Sequence, residues 1–150
     1  MTRTFLFKKA FTLVEILVVI GILAAVSSVV IFSFFSFSKQ QSLNSGALNV
    51  MSVLNEARSL AMSSKDFSNY GVHINPNSVV LFENNFGANN KEYNIGGYVT
   101  ISSDIVGGEV LFNKVTGGTA DNGTITISLA SDPSQNKIIT IYGTGATEMN

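Results

Sequence analysis

Cysteine is absent from this chain, which rules out a disulfide framework, a thiolate metal site and a cysteine nucleophile. Histidine occurs once, as His73 between Val72 and Ile74 on a predicted strand, where it is expected to face outward. One imidazole with no neighbouring ligand spacing makes a poor metal site. It also leaves no Ser/His/Asp grouping to argue for. Charge is scarce too, at 13% of residues with a formal net charge of −1, too small to imply nucleic acid or another highly charged partner. At 150 residues there is room for one compact domain plus one long element.

Charge is missing altogether from Ile16 to Ser38. As a helix this apolar run exceeds the roughly 20 residues needed to cross the hydrocarbon core of a bilayer, so residues 11–38 are expected to be a transmembrane helix. Arg3, Lys8 and Lys9 precede it with no acidic residue before Glu15. The positive-inside tendency then keeps the N-terminus cytoplasmic and sends the remainder outward. An ordinary secretory signal carries a shorter apolar region of about 7–15 residues, so removal of the whole run is not expected.

Beyond Lys39 the apolar residues thin into a stripe. Leu43, Ala47, Val50, Met51, Leu54, Ala57 and Ala61 recur at three- and four-residue steps, the signature of an amphipathic helix over 39–65 that continues the membrane helix and ends near Ser63–Asp66. Gly46 weakens it by about 1 kcal/mol relative to alanine. From Tyr70 the period changes to two, with β-branched and aromatic residues separated by turn chemistry. Strands are predicted at Gly71–Asn75 and Ser78–Glu83, flanking Pro76-Asn77 as a hairpin, then at Tyr98–Ser102, Glu109–Asn113, Thr124–Leu129 and Lys137–Tyr142. The last two are joined across Ser131-Asp132-Pro133-Ser134, while Phe86–Asn94 and Val115–Asn122 read as the least constrained segments. The fold class is therefore α+β: a long N-terminal helix, transmembrane then amphipathic, packed on a small antiparallel β-sheet head over 66–150.

The segment Lys8-Lys9-Ala10-Phe11-Thr12-Leu13-Val14-Glu15, followed by the apolar run, resembles the type IV prepilin cleavage and methylation motif. Basic residues, a small residue, an aromatic and a lone glutamate opening a membrane helix are not features that physics alone places together. The resemblance implies that residues 1–10 are a leader, that a prepilin peptidase cuts between Ala10 and Phe11, and that the new Phe11 amine is methylated. The family usually has glycine where this chain has Ala10. Cutting there removes three cations and takes the formal charge from −1 to −4. A carboxylate beside an apolar helix is costly to desolvate and marks function. In this family Glu15 pairs with the N-terminal amine of a neighbouring subunit. Leu54-Asn55-Glu56-Ala57-Arg58-Ser59-Leu60-Ala61 and the strands Gly123–Leu129 and Lys137–Gly143 further resemble minor pseudopilins of the GspH/FimT type.

The resemblance implies a structural subunit with no enzymatic activity and no cofactor. Its implied partners are the prepilin peptidase, other pilin or pseudopilin subunits, the inner-membrane assembly platform and membrane lipid. The implied location is the cytoplasmic membrane, with the head outside, and then a cell-envelope filament. A DNA-uptake minor pilin is the alternative, but from Asp66 onward the only cations are Lys91, Lys114 and Lys137, so no nucleic acid is expected. A membrane-anchored hydrolase lacks a recognisable site. Asp104, Asp121 and Asp132 lie far apart outside any calcium-loop pattern. Asn122-Gly123-Thr124 matches a glycosylation acceptor but reads better as a turn before a strand.

Overall fold

The computed structural model describes residues 11–63, 67–87 and 90–150; the leader, with Arg3, Lys8, Lys9 and Ala10, lies outside them. One helix, α1, runs from Leu13 to Met62. The expected end near Ser63–Asp66 is met at its first residue, where the Ser63 N–H donates to the Ser59 carbonyl at 2.9 Å and the Ser63 hydroxyl to that of Leu60 at 2.9 Å. By compactness the chain divides between Ser38 and Lys39, and each part is described by itself.

The first part is helical from Leu13, and none of its helical residues up to Ser38 is buried. Its serines do not break the helix. The hydroxyls of Ser28, Ser33 and Ser36 donate to the carbonyls of Ala25, Val29 and Phe32 at 2.8, 3.1 and 3.3 Å. Such back-bonding satisfies a hydroxyl inside its own helix.

Among its described residues the second part holds the rest of α1 and eight strands: β1 (Tyr70–Ile74), β2 (Ser78–Glu83), β3 (Lys91–Asn94), β4 (Val99–Ser103), β5 (Glu109–Phe112), β6 (Gly123–Leu129), β7 (Asp132–Ile141) and β8 (Thr147–Met149). They form two four-stranded antiparallel sheets, β3-β2-β1-β5 and β4-β6-β7-β8. The stripe of α1 supplies Leu43, Ala47, Val50, Val53, Leu54, Ala57 and Ala61 to one core, with Val72, Val79, Leu81, Val110 and Phe112 from the first sheet and Ile101, Ile125, Ile127, Ile139 and Ile141 from the second. The period of two predicted from Tyr70 onward is realised in β6: Ile125, Ile127 and Leu129 are buried and the residues between them half-exposed. Gly46 has a packing reason that outweighs its helix cost. A Cβ there would stand 3.0 Å from the Ile95 side chain and 3.3 Å from that of Val99, so the bare glycine lets helix and sheet approach.

Three details depart from the sequence reading. The strands β3 and β8 were not anticipated, since KEYN and TEM are too short and polar to show a period. The β6–β7 corner is not Ser131–Ser134 but Ala130-Ser131, with Leu129 opposite Asp132. The Asp132-Pro133-Ser134 segment belongs to β7, where register is lost before Ser128 meets Asn136. Asp132 anchors this irregularity, accepting from the Ser134 hydroxyl at 2.6 Å and the Gln135 amide at 2.9 Å. Finally, Val115–Asn122 is tied down on several sides. Val115 N–H donates to the Ala61 carbonyl at 2.9 Å, closing the end of α1, and Thr119 N–H donates to Gly143 at 3.0 Å.

Candidate assembly segment and the surfaces of the head

The start of α1 is built by Thr12. Its hydroxyl oxygen accepts the Glu15 N–H at 3.2 Å, and its carbonyl accepts the Ile16 N–H at 3.2 Å. Thr12 is thus the helix N-cap, and Glu15 occupies the third helical position, the Thr-x-x-Glu spacing of a capping box. Sequence reasoning missed Thr12, although that spacing was the signal. The first-turn N–H groups and the helix dipole place positive potential here, and a carboxylate within the first turn is favoured by about 0.3–1 kcal/mol at an exposed site. Phe11 lies directly before the cap and is 76% exposed. Of the expected site residues, Phe11 and Glu15 therefore share one helix end, and Ala10 falls outside the described residues.

Glu15 is the only charged residue from Leu13 to Ser38. The helix holds an 18-residue window apolar enough to cross a membrane, and none of that window is buried. Leu, Val, Ile and Phe occur on every side of the helix, so rotation cannot hide them against one partner surface. In water this exposure is unfavourable at about 25 cal/mol per Å². In lipid, or among other apolar helices, it is not, because an α-helix satisfies its backbone groups internally.

The head carries its charge differently. From Phe67 to Asn150 the carboxylates of Glu83, Glu92, Asp104, Glu109, Asp121, Asp132 and Glu148 outnumber Lys91, Lys114 and Lys137, a formal charge of −4. Lys91 is engaged: its Nζ lies 3.4 Å from Glu56 Oε1 and 4.8 Å from the centre of the Tyr93 ring. The Tyr93 hydroxyl donates to Glu56 Oε2 at 2.8 Å. A hydrogen bond with Tyr93 is the main cause holding the Lys91 ammonium above its usual pKa; burial opposes it, and the Glu56 charge adds to the rise. Burial is the main cause raising the Tyr93 phenol. The cluster fastens the short strand β3 to α1. Arg58, another residue that sequence reasoning passed over, donates to the carbonyls of Gly117 at 3.3 Å and Thr144 at 3.2 Å, fixing two loops to α1.

The three aspartates considered for calcium serve as turn anchors. Asp104 accepts the Thr124 N–H at 2.6 Å and the Thr124 hydroxyl at 3.0 Å; Asp121 accepts the Leu111 N–H at 3.0 Å. No group of three or more His, Asp or Glu among the described residues is placed to hold a metal ion. The Asn122-Gly123-Thr124 segment runs into β6, whose first two residues are Gly123 and Thr124, and the Thr124 hydroxyl donates to Asp104. His73 lies on the opposite face of its strand from the core residue Val72, as expected, but with company. Its ring stacks on Phe86 at 4.1 Å, Nδ1 lies 3.2 Å from Glu109 Oε1, and Nε2 lies 3.1 Å from Asn75 Oδ1.

With this geometry in hand, residues 7–31 match the prokaryotic N-terminal methylation motif. No curated protein matches the chain by sequence. Two crystal structures of the type IV minor pilin FimU from Pseudomonas aeruginosa (strain PAO1), in different crystal forms, are similar in fold. One has a TM-score of 0.62 at 14% identity, covering 76% of this chain and 92% of that chain. The other has a TM-score of 0.58 at 15% identity, covering 72% and 92%. The chain thus joins a prepilin-type N-terminal motif to a pilin-like fold, a long helix packed on antiparallel sheets.

Proposed function

We propose that this chain is a minor pilin or pseudopilin, a structural subunit without catalytic activity. A prepilin peptidase cuts it between Ala10 and Phe11, and the new Phe11 amine is methylated. The helix over 11–38 holds it in the cytoplasmic membrane with the head outside, until the inner-membrane assembly platform draws it into a type IV pilus or a type II secretion pseudopilus. The observation that carries this reading is the first stretch of α1, Leu13–Ser38, which is apolar on every side, has no buried residue, is opened by one carboxylate and begins within the methylation motif. Such a helix needs a surrounding that the chain itself does not supply. Lipid and neighbouring helices are two such surroundings, so one surface can serve the stored and the assembled subunit.

Glu15 distinguishes the two. At the membrane surface its carboxylate reaches water, and insertion gains nothing from the charge. Among packed apolar helices an unpaired ion is costly, and an amine from a neighbour's Phe11 offsets that cost. The pairing would also fix the axial register of an incoming subunit. The test is co-expression of wild type and Glu15→Gln with a prepilin peptidase and the assembly machinery. Membrane content, the N-terminus by mass spectrometry and incorporation into sheared filaments are then measured together. The expected pattern is a chain shortened by the ten leader residues with methylated Phe11 in both, and incorporation only in wild type. An intact leader where a known prepilin is processed would overturn the reading, and equal incorporation of Glu15→Gln would overturn the charge pairing.

A further inference from the structure

The face of the β3-β2-β1-β5 sheet turned away from α1 is not a plain solvated surface. Phe82 is 2% exposed, lying over Gly71, where any Cβ would overlap its ring. Beside it a groove of about 260 Å³ is walled by Phe82, Phe86, Leu111 and Val106, with Glu109 and Asp121 in its lining and no lysine or arginine among the described residues that line it. We propose that this groove receives a lysine or arginine side chain presented by a partner protein.

Size decides the class of occupant first. Pockets for small-molecule ligands run to about 300–1,000 Å³, so this volume suits one long side chain. The walls decide the character of that side chain. Phe82 and Phe86 meet edge to face with centroids 6.0 Å apart, and aromatic faces attract a cation within about 6 Å. An aliphatic stem could run along Leu111 and Val106, the latter 94% exposed on its turn, as long cationic side chains do on apolar surface. Both carboxylates are held in place: Glu109 by His73 through Oε1 at 3.2 Å, Asp121 by the Leu111 N–H through Oδ2 at 3.0 Å. Each keeps a second oxygen as acceptor. His73 offsets at most one of the two negative charges. Phe86 stacks on His73 and meets Phe82 edge to face while staying 45% exposed, so contacts within the chain position the ring and part of it remains open to an occupant.

Rival occupants fare worse on the same features. A purely apolar side chain would strip water from two carboxylates without pairing them. Nucleic acid would meet a head of formal charge −4. The inference does not rest on filament assembly, because the groove is complete within one chain.

The test uses the full chain in detergent micelles, isotope-labelled, titrated by NMR with acetyl-Gly-Arg-Gly-amide and with the uncharged norleucine peptide of the same length. The arginine peptide is expected to shift the amides of Phe82, Phe86, Glu109 and Leu111, and to bind about tenfold tighter than the norleucine peptide, a difference of about 1.4 kcal/mol. Asp121→Asn keeps an oxygen for the Leu111 N–H while removing the charge. It should weaken arginine binding several-fold with the spectrum otherwise unchanged, and Phe86→Leu should do the same through the wall. Equal shifts from both peptides, or shifts confined to other faces, would overturn the proposal, as would Asp121→Asn binding like wild type.

Discussion

Leu13–Ser38 and Lys39–Met62 are two stretches of one unbroken helix, and they treat their side chains in opposite ways. The first buries none of its residues; the second buries Leu43, Gly46, Ala47, Val50, Val53, Leu54, Ala57 and Ala61. Helix geometry is common to both, so the difference lies in patterning. A stripe of apolar residues at three- and four-residue steps can be covered by one surface, and here two sheets cover it. An all-round apolar sequence cannot be covered from one side. None of its described residues is buried. Mutations should therefore act on different observables in the two stretches, and that expectation can be broken.

The largest effect is expected from matched truncations. Leu54 is fully buried, whereas Leu23 is 60% exposed. Leu54→Ala should destabilise the head by about 2–5 kcal/mol, the range for leucine truncation in a packed core. Leu23→Ala should leave it unchanged within about 0.5 kcal/mol. Denaturant unfolding of the full chain in micelles, followed by the sheet signal in circular dichroism, measures both. A fall in the head midpoint with Leu23→Ala would show that the two stretches are energetically coupled.

A smaller effect is expected from a pair of glycines. Gly145 sits at φ +75°, and a Cβ there would overlap the Gly117 carbonyl oxygen. Gly145→Ala should cost roughly 1–3 kcal/mol, combining the left-handed backbone with a clash that only loop movement relieves. Gly21 has nothing within 4 Å of the equivalent position. Gly21→Ala should leave the head midpoint in place and, if anything, firm the helix. Thermal unfolding of both variants decides it. Equal midpoints would mean that the Arg58-bound loops are looser than their hydrogen bonds indicate.

Much of this architecture was legible from periodicity. The apolar run repeats its signal over enough residues to fix an element, and the stripe from Leu43 to Ala61 and the alternation Ile125, Ile127, Leu129 fix a buried face as well. Glu15 stands out in the sequence as a lone charge at the edge of an apolar run. What escaped was set by partners distant in sequence. The strand β3 exists because Tyr93 and Lys91 reach Glu56 across the head, and β8 because Thr147–Met149 can pair with Ile139–Ile141. Nothing in KEYN or TEM announces either. Val115–Asn122 looked free because its glycines suit loops, yet Arg58 and the Ala61 carbonyl hold it. The groove beside Phe82 was hidden for the same reason: Phe86, Val106 and Asp121 come from three separate connections. Thr12 was the one local signal overlooked, since the Thr-x-x-Glu spacing is readable without any structure.

The smallest expected effect belongs to the head alone and concerns acid. Asp104 follows β4 and pins the start of β6, its two oxygens accepting the Thr124 N–H and hydroxyl. These bonds favour the ionised form and hold the carboxyl below the usual aspartate range, the backbone N–H being the larger cause. Asp132 is lowered in the same way by the Ser134 hydroxyl and the Gln135 amide. A carboxyl with a lower pKa folded than unfolded binds fewer protons in the native state, so its stabilisation is complete above the unfolded value, about 3.9, and disappears as pH falls through the folded value. The head midpoint should therefore be level in these contributions from neutral pH to about pH 5 and decline below about pH 4. Asp104→Asn removes one titrating group while keeping an oxygen for the Thr124 N–H. Its midpoint should lie below wild type at pH 7, and the gap should narrow steadily toward pH 2, because wild type loses there what the variant never had. Thermal midpoints of the two proteins in micelles, taken at steps from pH 7 to pH 2, measure the gap directly. A gap that stays constant across that range would show that Asp104 acts through shape alone, and one that widens in acid would reverse the sign of the linkage.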